Sequence, residues 1–340
     1  MKVWVTGGFF DEPGDGATWR VDFGEERSER VVRWDPPEHL RVSGKGFAGG
    51  SFAPDGTLYV AAHAAVARVD SRRGEVTGVL HQPCMNDLHH VRAERDRLWV
   101  SNTGLSSVEV FDLGGELRGS HALLPAWANA RRLGGQDLPR DVSLVRPGWA
   151  GASPLPWASE ADDDPYFANQ RAEAPFHARK VRDYLHVNHV GALDGVPVAT
   201  CFADGSLRSL ATFEILDRLP GAFLHDGEEE AGALWLTAID GRILRWSPGE
   251  GFVEHLRVFE TGHHGWCRGL ALTPEHFVIG LTEVRRGRMP RHRWADREPE
   301  GSETSVLLID RSSGKLCARV EVGEGHRHAK IYSVLREVNR

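Results

Sequence analysis

Short runs rich in β-branched and aromatic residues alternate with polar turns along nearly the whole chain. Segments such as "TLYVAA" and "RLWVSN" are bounded by Asp, Asn, Gly or Pro. Such runs predict short β-strands, because branched and aromatic side chains pack well on a pleated surface. The Asp-Gly, Thr-Gly, Arg-Gly and Gly-Gly pairs between them are typical of hairpin turns.

The predicted strands repeat in groups of four. Each group consists of four predicted strands joined by three turns, and the second strand carries an apolar or aromatic residue. Five groups cover residues 49–80, 88–123, 188–215, 224–259, and 266–284 resumed by 304–322. A period of roughly 35 to 50 residues made of four short strands indicates propeller blades.

The two ends of the chain supply a sixth group. Three strand-like runs, "KVWVTGG", "ATWRVDF" and "RVVRWD", lie at the N-terminus, and one, "HAKIYSVLREV", lies at the C-terminus. A blade shared between the termini closes a propeller and removes its exposed sheet edges. We predict one all-β domain over residues 1–340, a six-bladed β-propeller closed by N- and C-terminal strands that share one blade. Two separate β-sandwiches or an open array are the alternatives.

The phrases "FAPDGTLYVA", "DRLWVSNTG" and "VARVDSRRGEV" resemble blades of a known superfamily. It is the six-bladed superfamily that includes SMP-30/gluconolactonase, strictosidine-synthase-like and NHL-type propellers. The resemblance covers most of the chain and implies the architecture. In the SMP-30-like enzymes carboxylates and asparagine hold the metal in the channel, whereas this sequence places other residues there. The resemblance therefore does not imply that family's activity.

Two insertions interrupt the repeats. Residues 124–184 fall between the third and fourth blades, and residues 285–303 fall within the last blade. Strand direction alternates within a blade, so both insertions are predicted to emerge on the same face of the propeller. The first insertion contains three tryptophans and is predicted to pack as a lid over that face. The second carries six arginines and suits an anionic ligand. A solvated surface loop and a contact to a partner chain are the alternatives.

Histidines recur where the predicted blades begin. Five predicted blades have an apolar or aromatic residue at the same position of the second strand, namely Tyr59, Trp99, Val198, Trp235 and Phe277. Nine or ten residues before these positions, the same blades have Gly50, His90, His189, His225 and Arg268. The predicted first strand of the sixth blade opens with His326 and His328. Because first strands line the channel of a propeller, these side chains are predicted to converge at one end of it.

Converging neutral imidazoles are ligands for a divalent transition metal such as Zn, Fe, Mn or Cu. The predicted ligands are His90, His189, His225 and His328, with His89 and His326 as substitutes if the alignment slips. Asn188 and Asp226 adjoin two of them and are predicted to accept a hydrogen bond from the other ring nitrogen. The alternatives are histidines that hold channel water and Asn or Asp residues that cap turns.

Two further residues are candidate catalytic groups. Glu283 ends a second strand near the predicted mouth of the channel and is the candidate general base. Arg268 occupies the blade position that histidine holds elsewhere and is predicted to steer an anionic small-molecule substrate.

The predicted function is a metal-dependent enzyme, a hydrolase or lyase with the metal as Lewis acid. The first alternative is an oxidative enzyme with a four-histidine non-haem iron or copper centre, similar in ligand type to that of carotenoid-oxygenase propellers. The second is a non-catalytic propeller that binds a ligand or protein. The sequence contains no GxSxG elbow, P-loop or dinucleotide fingerprint, so serine hydrolase, nucleotide hydrolysis and NAD chemistry have no support.

Composition restricts the partners and the compartment. The formal net charge of −7 over 340 residues argues against nucleic acid as a partner. No apolar run is long enough for a membrane span, and the N-terminus lacks the apolar core of a signal peptide. The four cysteines are far apart and form no CxxC pair, which favours a reducing compartment. A cytoplasmic protein is expected, and the sequence does not specify an oligomeric state.

Overall fold

The computed structural model describes residues 1–10, 14–42, 45–123, 185–284, 302–323 and 328–337. In these residues the chain forms 24 strands: β1 (Lys2–Phe9), β2 (Gly16–Asp22), β3 (Arg27–Trp34), β4 (Gly50–Phe52), β5 (Leu58–Ala61), β6 (Val66–Asp70), β7 (Glu75–Leu80), β8 (Leu88–Ala93), β9 (Arg97–Asn102), β10 (Ser107–Asp112), β11 (Leu117–Ala122), β12 (Val187–Leu193), β13 (Val196–Cys201), β14 (Ser206–Ser209), β15 (Ile215–Arg218), β16 (Leu224–Glu230), β17 (Ala233–Ala238), β18 (Arg242–Ser247), β19 (Gly251–Arg257), β20 (Trp266–Leu272), β21 (His276–Thr282), β22 (Ser305–Asp310), β23 (Leu316–Glu321) and β24 (Ala329–Arg336). Short 3-10 helices span Glu38–Leu40, Thr103–Leu105 and Val258–Thr261.

The strands form six four-stranded antiparallel sheets. Five of them, β4–β7, β8–β11, β12–β15, β16–β19 and β20–β23, pair their strands in chain order. The sixth has the order β24-β1-β2-β3 and joins the two ends of the chain. The protein is therefore an all-β six-bladed propeller, and both the predicted fold class and the blade shared by the termini are confirmed.

In the shared blade β24 pairs with β1 from Val3 to Phe9. The register begins at Val3 opposite Arg336 and ends at Phe9 opposite Ala329. Gly7 is required here, because a Cβ at that position would stand 1.8 Å from the carbonyl oxygen of Lys330. The absence of a side chain thus lets β24 lie directly against β1.

The six sheets belong to two compact units of three sheets each. One unit, called the terminal unit, comprises Met1–Asp35, Gly44–Gly49 and Ala222–Arg340. Its apolar core lies between neighbouring sheets. One cluster packs Val5 and Trp19 of the shared blade against Val278 of β21 and Val306 of β22. Another packs β17 and β18 against β20 and β21 through residues such as Trp235 and Phe277.

The other unit, called the central unit, comprises Pro36–Ser43 and Gly50–Gly221. It contains the sheets β4–β7, β8–β11 and β12–β15. Here too the core lies between sheets, with Trp99 and Val108 of one blade packed against Val190, Ala199 and Cys201 of the next. In both units the β-branched and aromatic residues that predicted strands are therefore the residues that bury the blade faces.

The first strand of five blades contains a β-bulge. The strand register skips one residue in β8, β12 and β24, namely His89, Asn188 and Tyr332. In β16 and β20 two residues, 225–226 and 268–269, oppose a single partner residue. Bulges turn side chains away from the regular pleat and are common beside active sites. The bulge positions are thus natural places for functional side chains.

Within each unit a hydroxyl group on a second strand connects two neighbouring bulged strands. In the central unit the Ser101 hydroxyl accepts from the His90 N–H at 2.7 Å and lies 3.3 Å from the Asn188 carbonyl of the next blade. In the terminal unit Thr237 accepts from the Asp226 N–H at 3.1 Å and donates to the Arg268 carbonyl at 2.5 Å. These hydrogen bonds satisfy backbone groups that the bulges remove from regular pairing.

Several predictions concern residues outside the described part of the chain. They are the lid at 124–184, nearly all of the arginine-rich insertion at 285–303, and His326. Within the described ranges, no helix has the length and apolarity needed to cross a bilayer. The cytoplasmic location stays a prediction.

Candidate functional site

Three side chains of the central unit come together at the starts of the first strands of two successive blades. They are Asp87, His89 and His186, and their potential ligand atoms all lie within 4.8 Å of one another. The two imidazole rings meet edge to face with their centroids 4.5 Å apart. Asp87 and His89 are buried, whereas His186 is half-buried. The group therefore has one side open to solvent.

Local backbone geometry places these three groups. Asp87 and His186 each precede a first strand and have φ angles of 52° and 51°. Phe223, which precedes β16, has the same conformation, so the left-handed residue recurs before several blades and is not peculiar to this group. His89 is the bulged residue of β8. The turn and the bulge together direct Asp87 and His89 to the same point.

A fourth histidine borders the group. The Nδ1 atom of His63 lies 3.6 Å from Asp87 Oδ1, and the side chain is buried. The His63 carbonyl accepts the Leu88 N–H at 3.0 Å, which connects the segment after β5 to the start of β8. His63 and His186 were not predicted from the sequence. His186 lies three residues before His189, and an alignment that tolerated that offset would have included it.

A buried polar network supports the loop that carries Asp87. The side chain of Asn102 accepts from the Asn86 N–H at 3.2 Å and donates to the Cys84 carbonyl at 2.8 Å. Below it lies Glu109, which is 2% exposed and accepts from the Ser107 hydroxyl at 2.7 Å. Burial raises the pKa of Glu109 above its ordinary value, although hydrogen bonds from Ser107, Ser120 and Asn102 act in the opposite direction. A buried carboxyl group thus lies beneath the candidate site.

Glu109→Gln is expected to make the stability of the protein less dependent on pH. Because the folded-state pKa of Glu109 is raised, the folded protein holds this proton more tightly than the unfolded chain. Wild-type stability therefore falls as the pH rises from the ordinary glutamate value of about 4.3 through the folded-state value. The glutamine variant lacks this loss, so its stability relative to wild type should increase as the pH rises through that window.

Urea unfolding of wild type and Glu109→Gln at several pH values measures the difference. Glu116→Gln is the matched control, because Glu116 follows the same strand and its side chain is 72% exposed. A difference between wild type and Glu109→Gln that does not grow with pH would contradict the expectation.

The predicted ligands His90 and His189 lie together in the central unit. Their ring centroids are 4.3 Å apart, and both side chains are buried. Burial, followed by the positive charge of Arg92, lowers the pKa of His189 to about 3. His189 is therefore neutral at physiological pH, which is the form that can ligate a metal. The Val190 N–H donates to His90 Nδ1 at 3.4 Å, so that nitrogen is the unprotonated one and the proton is on Nε2.

In the terminal unit the bulges of successive first strands bring His225, Arg268 and Tyr332 together. The rings of His225 and Tyr332 are 6.1 Å apart. The Arg268 guanidinium carbon lies 4.4 Å from the Tyr332 ring centroid and 4.2 Å from that of Trp266. The sequence alignment placed His328 at the head of this blade, whereas in the structure Tyr332 is the bulged residue of β24.

The electrostatics around Tyr332 are unusual for a buried phenol. Burial acts to raise its pKa, but the positive charges of Arg268, Lys330 and Lys45 and a hydrogen bond from Arg268 outweigh it and lower the pKa to about 7. Both lysines are buried in the terminal unit. A substantial fraction of Tyr332 is therefore ionised near neutral pH.

The predicted base Glu283 and the predicted ligand His328 form a pair in the terminal unit. Their Oε2 and Nδ1 atoms are 2.7 Å apart, and His328 is 44% exposed. Both line an open cavity of about 320 Å³ together with Glu303, Glu321 and other residues. The structure therefore places Glu283 beside a histidine and other carboxylates at an exposed position.

The predicted set of His90, His189, His225 and His328 as ligands of one metal stays a prediction. So do the roles assigned to Asn188 and Asp226, both of which are buried at bulges. Asp226 Oδ2 accepts the Leu270 N–H at 3.3 Å, so this carboxylate also stabilises the neighbouring first strand, β20. The metal-binding group that the structure shows within one unit uses the substitute His89.

Comparison with known proteins shows the fold. No protein-family profile and no curated protein sequence matches the chain. Among solved structures, a Bacteroides caccae protein of unknown function aligns with a TM-score of 0.60 at 9% identity, covering 99% of this chain and 100% of that chain. A chain of the nidogen/laminin complex aligns at 0.54 with 11% identity, covering 98% and 97%. A Bacteroides fragilis protein provisionally named a 6-phosphogluconolactonase aligns at 0.49 with 12% identity, covering 96% and 83%. At these identities the likeness extends to the propeller architecture alone.

Proposed function

We propose that this protein is a metal-dependent enzyme, a hydrolase or lyase that acts on an anionic small molecule. The observation that carries the proposal is the group of Asp87, His89 and His186 in the central unit. Two imidazoles and a carboxylate are a ligand set that suits zinc and other divalent transition metals.

The spacing of the three side chains supports metal binding. In a tetrahedral zinc site with bonds of about 2.1 Å, two ligand atoms are about 3.4 Å apart. The three potential ligand atoms lie within 4.8 Å of one another, so binding requires side-chain rotations that bring the most distant pair closer by about 1.4 Å at most. A set of three protein ligands leaves a coordination position for water or substrate, as catalytic sites do. Because His186 is only half-buried, water or substrate can reach the group from the side of this residue.

Asp87 and the neighbouring His63 have separate roles in the proposed metal site. A bound divalent metal would act there as a Lewis acid. Asp87 supplies negative charge that offsets the charge of the cation. His63, 3.6 Å from Asp87, is placed to orient this carboxylate or to exchange a proton with a ligand at the open side.

Recognition of an anion is supported separately within the terminal unit. Arg268, Lys330 and Lys45 are buried cationic side chains around Tyr332. Arginine binds carboxylate and phosphate groups through two parallel hydrogen bonds, so this group suits an anionic ligand within that unit.

His186→Ala and Asp87→Asn are expected to remove bound metal while leaving the fold intact. The change to asparagine keeps an oxygen atom and the side-chain shape but removes the charge that offsets the cation. His81→Ala is the matched control, because His81 belongs to the same unit and binds the Ala64 carbonyl through Nδ1 at 2.7 Å. The measurement is elemental analysis of protein purified without a histidine tag and equilibrated with Zn²⁺ or Mn²⁺.

The expected result is stoichiometric metal in wild type and His81→Ala, and a loss of at least tenfold in affinity in the other two variants. Circular dichroism should show the same β content in all four proteins. Equal metal content in wild type and both ligand variants would overturn the proposal. Tightly bound iron or copper retained through purification would instead favour the oxidative alternative.

A further inference from the structure

We propose that Phe202 is a positioning residue of the metal site in the central unit, and that it holds the imidazole of His186 in the orientation that faces Asp87 and His89. The inference deepens the proposed function and rests on it, because His186 is one of the three ligands of that site. Phe202 has no ligand atom of its own, so it acts only through His186.

His186 is the ligand that most needs support from its neighbours. Asp87 and His89 are 7% and 8% exposed, whereas His186 is half-buried. A histidine side chain with access to solvent can adopt several rotamers. Each rotamer that turns the imidazole away from the other two ligands weakens metal binding, because ordering the side chain then costs entropy. The orientation of His186 therefore decides how complete the ligand set is before a metal binds.

The backbone places Phe202 directly beside His186. Beyond the ends of β12 and β13, the Phe202 N–H donates to the His186 carbonyl at 3.0 Å, and the Ala203 N–H donates to the Leu185 carbonyl at 3.0 Å. The antiparallel hydrogen bonding thus continues past the two strands. Residues that lie opposite each other in such a pair have neighbouring side chains, so the pairing brings the ring of Phe202 to that of His186.

The rings of Phe202 and His186 are in contact. Their centroids are 5.1 Å apart, and their planes are inclined by 54°. The same imidazole lies 4.5 Å from the ring of His89, at 71°. Both distances lie in the range in which aromatic rings attract each other in tilted or edge-to-face arrangements. Rotation of the His186 side chain therefore disrupts its contacts with two rings.

Buried residues fix the backbone on which this contact is built. Leu185 and Val187 flank His186, and Cys201 precedes Phe202. All three belong to the core cluster of the central unit and are fully buried. Between its two anchored neighbours His186 has a φ of 51°, so its side chain leaves the regular alternation of a strand. The backbone thus sets the direction of the His186 side chain, and the ring of Phe202 limits its rotation.

The turn that follows Phe202 is held by its own contacts. Asp204 Oδ1 accepts from the Ser206 N–H at 3.1 Å and from the Ser206 hydroxyl at 2.6 Å. Gly205 has a φ of 64°, and a Cβ at this position would stand 2.0 Å from the Leu219 carbonyl oxygen. Phe202 itself is 6% exposed. Its ring is therefore held in place and can orient a neighbouring side chain.

Binding of Zn²⁺ and Co²⁺ tests the role of Phe202. Phe202→Leu keeps an apolar side chain but removes the ring, and Phe202→Tyr restores a ring. Groups that orient a metal ligand contribute about 10- to 100-fold to affinity. We therefore expect Phe202→Leu to bind both ions at least about tenfold more weakly than wild type, and Phe202→Tyr to bind them as wild type does.

The visible absorption of bound Co²⁺ separates positioning from a general loss of stability. This absorption depends on the number and geometry of the ligands and should change in Phe202→Leu but not in Phe202→Tyr. A variant that was only less stable would melt at a lower temperature and keep the wild-type spectrum of the bound ion.

Phe213→Leu is the matched control. Phe213 belongs to the same unit, and its ring contacts a different histidine, His121, at a centroid distance of 5.6 Å. The substitution removes the same atoms from a histidine contact that is not part of the site. It should leave the affinity for both ions and the Co²⁺ spectrum unchanged. Circular dichroism and a melting curve verify the folding of each variant.

A second measurement needs no metal. In metal-free protein with isotope-labelled histidines, a nuclear Overhauser effect between ring protons of His89 and His186 reports that the two imidazoles lie together. We expect it in wild type, Phe202→Tyr and Phe213→Leu. It should be lost in Phe202→Leu, because the His186 ring then samples other orientations. His186→Ala assigns the signals.

Either of two results would overturn the inference. One is wild-type affinity together with a wild-type Co²⁺ spectrum in Phe202→Leu. The other is an undiminished Overhauser effect between His89 and His186 in that variant. If wild type bound neither ion, the metal proposal would fail, and the metal-free measurement would still decide whether Phe202 orients His186. The two failures can therefore be told apart.

Discussion

Removal of residues 329–340 is expected to leave a chain that aggregates or melts without a cooperative transition. The deletion takes away β24, whose pairing with β1 extends from Phe9 to Val3. It also removes Ile331 and Val334, which are 0% and 1% exposed in the core cluster around Trp19. A single large-to-small change in a core costs about 2–5 kcal/mol, and whole domains are stable by only about 5–15 kcal/mol.

The deletion should have a second consequence besides lost burial. Without β24 the inner edge of β1 presents unpaired N–H and C=O groups, which invite pairing with another chain. Size-exclusion chromatography and thermal unfolding followed by circular dichroism test both effects. Removal of residues 338–340 alone, which follow β24 in the sequence, is the control and should leave the melting curve unchanged. A 12-residue truncation that melts like wild type would contradict the role assigned to the shared blade.

Arg208→Ala is expected to destabilise the protein by about 2–5 kcal/mol, as is usual when a large buried side chain is replaced by alanine. Arg208 is fully buried in β14 and donates to Asp204 Oδ2 at 2.9 Å and to the Ser206 hydroxyl at 2.9 Å. The alanine variant loses both hydrogen bonds and leaves a cavity in the central unit. Its carboxylate partner would also remain partly buried with less neutralising charge.

The chain itself offers the matched control for this substitution. Arg218 donates to the same Asp204 oxygen at 3.1 Å, but its side chain is 45% exposed. Arg218→Ala should therefore cost no more than about 1 kcal/mol, as is usual for exposed ion pairs. Urea unfolding gives both free-energy changes. If both variants lost the same free energy of unfolding, the burial of Arg208 would not determine how much its hydrogen bonds to Asp204 and Ser206 stabilise the protein.

The blade pattern could be predicted because its signals are local. Hairpin turns such as Asp-Gly after Pro54 and apolar runs such as the one around Trp99 are determined by neighbouring residues, and they recur in every blade. The shared blade also followed from counting, since three strands at one end and one at the other complete a sheet. The structure confirms these features because strand propensity and turn chemistry act over only a few residues.

The candidate sites depended on distances that no local pattern specifies. A bulge arises from how two strands pair, so the sequence pattern around His89 and His90 did not show that His89 would lie with Asp87 and His186. The contribution of His63 likewise depends on packing between two blades.

The six-bladed architecture and the concentration of histidines near the starts of first strands follow from local sequence patterns. The position of Tyr332 at the bulge of β24, with Arg268, Lys330 and Lys45 around it, is visible only in the folded protein. These residues are far apart in the chain, and their charges act through space. The lowered pKa of Tyr332 is therefore a product of the fold, because a tyrosine on an isolated strand would have none of these neighbours.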